Sequence, residues 1–213
     1  KTFKALESAK TEQGNKISII EKNIDDLPEG ELLIKVNYSS LNYKDALSAS
    51  GSPGVTRTYP HTPGIDAVGF IEESTDANFK EGDSVIVTGY DLGMNTSGGF
   101  GQYIRVPSSW AVMLPSGLSD RDSMCLGTAG LTAGLSIQAL DDFNGNQGFE
   151  SSSSIVTGST GGVGSIAVML LSKLSSSVTA VTGKDSEKAL LQSLGASEVI
   201  SREELAEISR TPI

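Results

Sequence analysis

The stretch Ile155-Val-Thr-Gly-Ser-Thr-Gly-Gly-Val-Gly-Ser-Ile-Ala-Val-Met-Leu-Leu171 decides the fold of this chain. Its β-branched, apolar start predicts a short strand over 155–158. Four glycines within the next turn predict a tight loop, and the apolar run over 163–174 predicts a helix. A strand, a glycine-rich turn and a helix in this order are typical of the βα unit that binds a dinucleotide.

The glycines of this turn suit the binding of a pyrophosphate. Backbone N–H groups must approach the anion closely, so a Cβ at Gly161 or Gly162 would obstruct it, while Gly164 lets the helix pack tightly on the strand. The positive N-terminal end of the helix points at the same anion. The match to G-x-G-x-x-G is imperfect, because Ser159 stands at the first glycine position. The alternative that this segment is only a turn therefore stays open.

Residues 1–115 have the pattern of a β-rich domain. Turns that contain glycine, proline or aspartate, such as Pro28-Glu-Gly30, separate short segments of β-favouring residues. One short helix is predicted at Tyr43–Ser48. The predicted strands are Ile17–Lys22, Glu31–Tyr38, Gly64–Glu72, Ser84–Gly89, Gln102–Pro107 and Ala111–Leu114.

The pattern changes near Pro115, and residues 116–213 form a second predicted domain. Ser119-Asp-Arg-Asp122 resembles a capping box, and a helix is predicted from there to Leu140. The polar segment Asp141–Ser154 is predicted to be a surface loop. Beyond it, strands are predicted at 155–158, 178–183 and 198–200, and helices at 163–174, 186–194 and 202–209.

This alternation of strands and helices predicts a parallel sheet with right-handed crossovers. The fold class is therefore α/β, with a β-rich domain followed by part of a doubly wound parallel sheet. Three strands make only one half of such a sheet. The sequence stops at Ile213, where the second half is expected to begin. We therefore expect the chain to be part of a longer protein.

The composition fits a soluble globular protein and narrows its possible partners. The chain has 213 residues and a formal net charge of -10. This acidity argues against nucleic acid or an anionic membrane as a partner, although a local basic pocket remains possible. The single cysteine, Cys125, rules out an internal disulfide. The longest apolar helical stretch, Val163–Leu174, is too short to span a bilayer, and we expect a cytoplasmic protein.

The end of the second strand in the α/β part favours NADP over NAD. An NAD site usually has an acidic residue there for the ribose hydroxyls. This chain has Thr182-Gly183-Lys184 instead, which offers a hydroxyl, free space and a positive charge for a 2′-phosphate. Arg202, after the third strand, is a further candidate ligand. The alternatives are that Lys184 and Arg202 are solvated surface charges and that Asp185 binds the ribose.

Metal and hydrolase chemistry have little support. The chain has one histidine, His61, and one cysteine, whereas a catalytic zinc needs three close ligands and usually draws on these residue types. His61 lies in a turn between Pro60 and Thr62 and is predicted to be a packing or surface residue. No G-x-S-x-G elbow for a serine hydrolase is present.

The segment Ser39-Ser-Leu-Asn-Tyr-Lys-Asp45 brings an amide, a phenol, an ammonium and a carboxylate to the end of one predicted strand. By itself it could be a helix N-terminus with Asn42 as the cap. With a nucleotide-binding unit downstream, it is the best candidate for the reacting side of a cleft.

Several segments together resemble the medium-chain dehydrogenase/reductase superfamily. Within it, the chain is most similar to the zinc-free quinone oxidoreductases of the YhdH/YhfP type, a group that includes acryloyl-CoA reductases. The resemblance spans nearly the whole chain and covers the N-terminal two thirds of such proteins. The segments are Leu41-Asn-Tyr-Lys-Asp-Ala-Leu47, Pro63-Gly-Ile-Asp66, Gly127-Thr-Ala-Gly-Leu-Thr-Ala133, Thr157-Gly-Ser-Thr-Gly-Gly-Val-Gly164 and Leu194-Gly-Ala-Ser-Glu-Val-Ile200.

The resemblance implies a GroES-like catalytic domain over 1–115 and a partial Rossmann domain over 116–213. It also implies that no metal is bound. Zinc alcohol dehydrogenases carry cysteine and histidine where this chain has Asn42 and Tyr43. They carry histidine and glutamate where it has Ile65 and Asp66.

Carried over by position, the resemblance implies a catalytic site formed by Asn42, Tyr43 and Asp45. Asn42 and Tyr43 are expected to donate hydrogen bonds to the substrate oxygen, and Tyr43 is a candidate proton donor. The expected contacts of NADP(H) are Tyr43, Thr128, Gly158, Ser159, Thr160, Gly161, Gly162, Val163, Gly164, Thr182, Gly183, Lys184 and Arg202.

The implied activity is an NADPH-dependent, zinc-independent reduction of a quinone or an α,β-unsaturated carbonyl, including acryloyl-CoA. The expected partner is this small-molecule substrate, and the full-length protein is expected to be a homodimer. The alternative from another class is a non-catalytic NADP(H)-binding sensor or structural protein, because a fold does not determine activity.

Overall fold

The computed structural model describes residues 1–208, which fall into two compact units. Unit 1 is Lys1–Thr128, and unit 2 begins at Ala129. Unit 1 contains strands β1 (Thr2–Thr11), β2 (Gly14–Asn23), β3 (Leu32–Tyr38), β4 (Asp66–Ser74), β5 (Ser84–Thr88), β6 (Tyr103–Val106) and β7 (Ala111–Met113), and helix α1 (Tyr43–Ser50). Helix α2 (Asp120–Phe143) has residues in both units. Unit 2 continues with β8 (Ser153–Thr157), α3 (Gly162–Leu174), β9 (Ser177–Val181), α4 (Lys188–Ser193), β10 (Glu198–Ile200) and α5 (Arg202–Ile208).

Unit 1 is built on a five-stranded antiparallel sheet in the order β6-β3-β4-β5-β7. Successive side chains of a strand point to opposite faces. On β3, Leu32 and Ile34 enter the main core, whereas Leu33 packs with Phe3 of the β1–β2 hairpin. Both faces of β3 are therefore buried over its first three residues. The predicted strands and the predicted short helix of the β-rich domain are confirmed, with small shifts at their ends.

Strand β1 has no clear signal in the sequence. Its residues include lysine, alanine, leucine and glutamate, which favour helices when taken alone. In the structure it pairs with β2 along its whole length, from Thr2 opposite Asn23 to Thr11 opposite Gly14. Pairing with β2 and the burial of Phe3 thus outweigh the helix preference of these residues, because strand propensity depends strongly on context.

Helix α2 leaves helical geometry at Gly127, where φ is 48° and ψ is -152°. The division between the two units falls just after this residue, further along the chain than the change in sequence pattern at Pro115. The first turns of α2 belong to unit 1, where Asp120 accepts a hydrogen bond from the Asn37 side chain at 2.7 Å and Met124 is buried.

Among residues 1–208, α2 is the one helix that is long and apolar enough to cross a bilayer by length and composition, with a mean hydropathy of 1.2. This corrects the expectation that Val163–Leu174 is the longest apolar helical stretch. Because Gly127 interrupts α2, continuous helix runs only over 128–143. That is roughly 24 Å at 1.5 Å per residue, against roughly 30 Å for the hydrocarbon core of a bilayer.

Unit 2 contains a three-stranded parallel sheet in the order β10-β9-β8. Val156, Val178 and Ala180 of the sheet pack against Val168 of α3 and Leu191 of α4. The predicted alternation of strands and helices is confirmed. Strand β8 pairs only with β9 among the described residues, as expected for half of a doubly wound sheet. The predicted last helix is present as α5, and its expected final residue, Ser209, lies outside the described residues.

Candidate functional site

In unit 1, the segment between β3 and α1 forms a short turn that leads into the helix. Asn42 precedes α1 with extended backbone (φ -123°, ψ 154°), and its N–H donates to Asp45 Oδ2 at 2.8 Å. This is the side-chain-to-cap half of a capping box. Gly51, with φ 88°, ends the helix. Asn42 therefore lies at the cap, as the sequence pattern predicts.

The carboxylate of Asp66 is the centre of this site. Asp66 begins β4, and its side chain is fully buried. Its oxygens accept hydrogen bonds from the Ser40 hydroxyl and from Asn42 Nδ2, the latter at 2.9 Å. Thr128 donates twice, through its backbone N–H at 2.9 Å and its hydroxyl at 2.7 Å. These donors replace the water that a buried carboxylate loses, a loss that costs several kcal/mol when uncompensated.

The contact between Thr128 and Asp66 depends on the interruption of α2. Gly127 breaks the helix, so a second helical segment begins at Thr128 and leaves its first N–H groups without carbonyl partners in that segment. The Asp66 carboxylate accepts one of them. A negative group at this position also suits the helix dipole. A Cβ on Gly127 would lie 2.7 Å from Asp66 Oδ2, so only glycine permits this approach.

Asn42 directs its side-chain N–H groups inward. Besides Asp66, Asn42 Nδ2 lies 2.9 Å from Ser40 Oγ and 3.3 Å from Asp45 Oδ2. An amide has two N–H groups, so interior oxygens occupy the donors that the sequence interpretation assigns to a substrate oxygen. In this geometry, Asn42 holds the turn together.

Asp45 lies beneath the turn, with 2% of its surface exposed. Its Oδ1 accepts the Ile65 N–H at 2.9 Å, which ties α1 to the residue before β4. Burial raises the pKa of Asp45, the backbone N–H bonds from Asn42 and Ile65 oppose this, and the nearby Asp66 carboxylate adds to it. Asp45 therefore does not line the exposed side of the site, contrary to the sequence-based expectation.

Tyr43 and Leu41 face outward on either side of Asn42. Their exposed fractions are 80% and 89%. Of the three predicted catalytic residues, Tyr43 is thus the one whose side chain a ligand can reach directly.

The central position of Asp66 in this site is not predicted from the sequence, where the residue is noted as the replacement of a zinc ligand. The available signal is a carboxylate at the head of the apolar strand Asp66–Ser74, whose first residues are all buried. A buried aspartate needs several donors, and these donors come from distant segments of the chain.

The glycine-rich turn of unit 2 is anchored by Ser159, which is fully buried. Its hydroxyl donates to the Val156 carbonyl at 2.6 Å and accepts the Val181 N–H at 3.0 Å. Its own N–H donates to the Val181 carbonyl at 3.3 Å. The serine at the first glycine position therefore joins β8 to the end of β9. Its side chain and N–H are thus engaged inside the unit, and its contact with the cofactor stays a prediction.

The next residues of the turn are open to solvent. Gly161, Gly162 and Val163 are exposed, and they lie at the N-terminus of α3, where backbone N–H groups have no acceptor within the helix. Thr160 is half-buried. The turn therefore presents an exposed helix N-terminus of the kind that binds phosphate groups.

The glycines of this turn divide into two groups. A Cβ on Gly164 would lie 2.3 Å from the Gly158 carbonyl oxygen, so the fold itself requires that glycine. A Cβ on Gly161 would lie 3.3 Å from the same oxygen, and one on Gly162 would lie 3.4 Å from Ala129 Cβ. The fold nearly accommodates side chains at these two positions. Their absence fits the space that a bound pyrophosphate needs.

The end of β9 brings together the residues predicted to recognise a 2′-phosphate. Thr182 is buried, and its hydroxyl accepts the Lys184 N–H at 3.1 Å. A Cβ on Gly183 would lie 3.6 Å from Arg202 Nε, so the Arg202 guanidinium lies beside this glycine. Gly183, Lys184 and Arg202 are exposed. Asp185, the alternative ribose ligand, pairs with Lys188 Nζ at 3.1 Å.

Comparison with known proteins agrees with both units. Residues 28–116 match the alcohol dehydrogenase GroES-like domain. The acrylyl-CoA reductase AcuI of Ruegeria pomeroyi is 41% identical over 99% of this chain and 64% of its own length. YhfP of Bacillus subtilis, which bears a quinone-oxidoreductase name, is 45% identical over 95% of this chain and 61% of its own.

Solved structures show similarity to the same group of oxidoreductases. The structure of the YhdH oxidoreductase from Salmonella enterica in complex with NADP has a TM-score of 0.89, with 41% identity over 94% of this chain and 61% of that one. The structure of YhfP with NAD bound has a TM-score of 0.88, with 44% identity over 96% of this chain and 61% of that one.

Residues 28–116 therefore match a GroES-like domain, and nearly the whole chain is similar to AcuI, YhfP and YhdH. The predicted resemblance and the predicted fold class, a GroES-like domain with a partial Rossmann sheet, are confirmed. The chain spans between 61% and 64% of the length of these relatives.

A bound zinc needs several ligands that lie close together. Across residues 1–208, no three His, Cys, Asp or Glu side chains are grouped so that they could hold a metal ion. His61 is buried, its Nε2 has no hydrogen-bond partner in this part of the chain, and burial lowers its pKa. His61 is thus a core packing residue, one of the two roles expected of it.

We expect Gly127→Ala to destabilise the protein by about 2–4 kcal/mol, through unfavourable backbone geometry and the clash with Asp66. Urea unfolding of the wild type and the variant measures this difference. Gly134→Ala is the matched control, because it lies in the same helix and its new Cβ would meet nothing within 4 Å. It should stabilise by up to about 1 kcal/mol. A Gly127→Ala protein as stable as the wild type would contradict the assigned role of this junction.

Proposed function

We propose that this chain provides the catalytic domain and part of the cofactor domain of an NADPH-dependent, zinc-independent reductase. Its acceptor is an α,β-unsaturated carbonyl, including an acryloyl thioester, or a quinone. The observation that carries the proposal is the exposed turn at Gly161 and Gly162, where an added Cβ would lie 3.3 Å from the Gly158 carbonyl oxygen and 3.4 Å from Ala129 Cβ, respectively. These contacts are far milder than the 2.3 Å contact at Gly164, so a pyrophosphate-binding requirement explains the two glycines better than the packing of the unit does.

The geometry of unit 2 supports a set of proposed cofactor contacts. The N–H groups of Gly161, Gly162 and Val163 would bind the pyrophosphate. The exposed cations Lys184, next to Gly183 in sequence, and Arg202, beside Gly183 in space, would bind a 2′-phosphate. The structures named above contain NADP in YhdH and NAD in YhfP. The two cations and the pairing of Asp185 with Lys188 favour NADP(H) for this chain. Contacts of Tyr43 and Thr128 with the cofactor remain predictions from the family.

When bound, NADPH supplies a hydride for the electron-poor carbon of the acceptor. The chain's own residues must then stabilise the developing oxyanion and deliver a proton. Tyr43 is suited to both tasks, because its exposed phenol can donate a hydrogen bond or a proton. Asn42 contributes indirectly, since its N–H groups are directed to Ser40, Asp66 and Asp45 and fix the turn that carries Tyr43.

The acceptor class rests on similarity rather than on a pocket. AcuI is named for acrylyl-CoA and YhfP for quinones, and both are more than 40% identical to this chain. These acceptors share a carbon made electron-poor by a conjugated carbonyl. We place the enone or enoyl thioester first, since the match to AcuI extends over 99% of the chain. The expectations of a homodimer and of a cytoplasmic location remain predictions.

Steady-state NADPH oxidation tests the proposal. With acryloyl-CoA or a quinone, we expect acceptor-dependent oxidation, and kcat/KM for NADPH at least about tenfold above that for NADH, the effect of roughly 1.4 kcal/mol of phosphate contacts. Prior treatment with a chelator should leave the rate unchanged. NADPH binding without turnover of either acceptor would favour the sensor alternative, and loss of activity that zinc restores would contradict the zinc-free assignment.

Tyr43→Phe should lower kcat by about 10²-fold, the usual contribution of one acid–base or oxyanion donor, with NADPH affinity nearly unchanged. Stopped-flow kinetics and fluorescence titration with NADPH separate the two quantities. Tyr38→Phe is the control, as it removes the hydroxyl of another exposed tyrosine, on β3. A Tyr43→Phe enzyme with full kcat would exclude the phenol from the chemistry.

A further inference from the structure

The segment that carries the site of unit 1, residues 36–65, exposes positive charge in an otherwise acidic chain. The formal net charge of the chain is -10. Between residues 36 and 65, the charged side chains besides His61 are Lys44, Asp45 and Arg57. Asp45 is buried, whereas Lys44 and Arg57 are exposed. The exposed charge of this segment is therefore entirely cationic.

The two cations are held around the same helix. Lys44 is the second residue of α1, next to Tyr43. Ser48, one turn further along the same helix face, contacts Thr56 through a buried pair of hydroxyls at 2.6 Å. Arg57 follows Thr56 directly. Contacts within unit 1 thus hold the residue before Arg57 against Ser48, which lies one helical turn from Lys44.

Neither cation is neutralised by an acidic neighbour. In the part of the chain that the structure describes, no carboxylate lies within ion-pair distance of Lys44 or Arg57. The nearest acidic group linked to this loop is Asp91. It accepts hydrogen bonds from the side chains of Asn95 and Thr96, and Asn95 in turn accepts the Arg57 N–H at 3.2 Å. Lys44 and Arg57 are therefore available to an external anion.

We propose that Lys44 and Arg57 form an anion-binding patch beside the site, and that this patch binds the phosphate groups of a coenzyme A ester. This inference rests on the proposed function and selects the thioester over the quinone as substrate. A coenzyme A ester carries its reactive acyl group at one end and several phosphates at the other, whereas a quinone has no charge to recognise. Phosphate attracts ammonium and guanidinium groups in this way.

Kinetics of Lys44→Gln, Arg57→Gln and the double variant test the patch, with acryloyl-CoA and an uncharged enone compared at saturating NADPH. For acryloyl-CoA, we expect KM to rise about threefold in each single variant and about tenfold in the double variant, the size of one or two solvent-exposed charge contacts. The kcat, the NADPH affinity and the KM for the enone should stay within about twofold. The effect should shrink at high salt, as screening predicts.

Lys80→Gln is the matched control, because it removes the same charge from an exposed lysine in the turn between β4 and β5. It should change none of these constants. Calorimetric titration with coenzyme A alone tests the patch without turnover, and the double variant should lose this binding.

Three results would overturn the proposal. An equal rise of KM for both acceptors would show that the variants disturb the site generally. A rise confined to the NADPH dissociation constant would assign the patch to the cofactor. If the kinetic constants and the binding of coenzyme A are the same in the double variant as in the wild type, the two cations do not bind the substrate. If the wild type binds coenzyme A at this patch but turns over neither acceptor, the proposed function fails and the patch stands.

Discussion

The buried carboxylate of Asp66 is the interaction on which the proposed substrate site of unit 1 depends. It draws the Ser40 hydroxyl, the Asn42 amide and both donors of Thr128 to one point inside unit 1. The donors lie on two segments, the turn before α1 and the restart of α2, so the carboxylate at the start of β4 fixes these segments relative to each other. Since a buried acceptor is costly when its donors are missing, all three segments are constrained together.

The glycine-rich turn of unit 2 also depends on one buried polar side chain. Ser159 joins the ends of β8 and β9 through its hydroxyl, which leaves the exposed positions after it free to bind a ligand. Gly164 is required by the fold, whereas a Cβ at Gly161 or Gly162 would be only slightly crowded. The same short turn therefore contains a structural part and a part that we propose binds the cofactor, and the two can be separated by substitution.

Local patterns in the sequence predict most of the fold. Alternation, turn residues and the strand–turn–helix at Ile155–Leu171 identify the strands of both units, because these signals act over a few residues. Strand β1 is missed, since only its pairing with β2 makes it a strand. The inward orientation of Asn42 and the burial of Asp45 are missed for a related reason. Both depend on Asp66 and Ile65, more than fifteen residues away in sequence, and on donors that only the folded chain brings together.

Kinetic and stability measurements on Asp66→Asn test most directly whether this carboxylate holds the site of unit 1 together. An asparagine keeps the shape but presents an N–H group to donors that need an acceptor. We predict a loss of about 2–4 kcal/mol in the free energy of unfolding. Under conditions where the variant is folded, kcat should fall at least about tenfold with NADPH affinity nearly unchanged. Asp83→Asn, which alters a carboxylate that accepts one backbone N–H in a surface turn, is the control. An Asp66→Asn protein with the stability and kcat of the wild type would contradict the account.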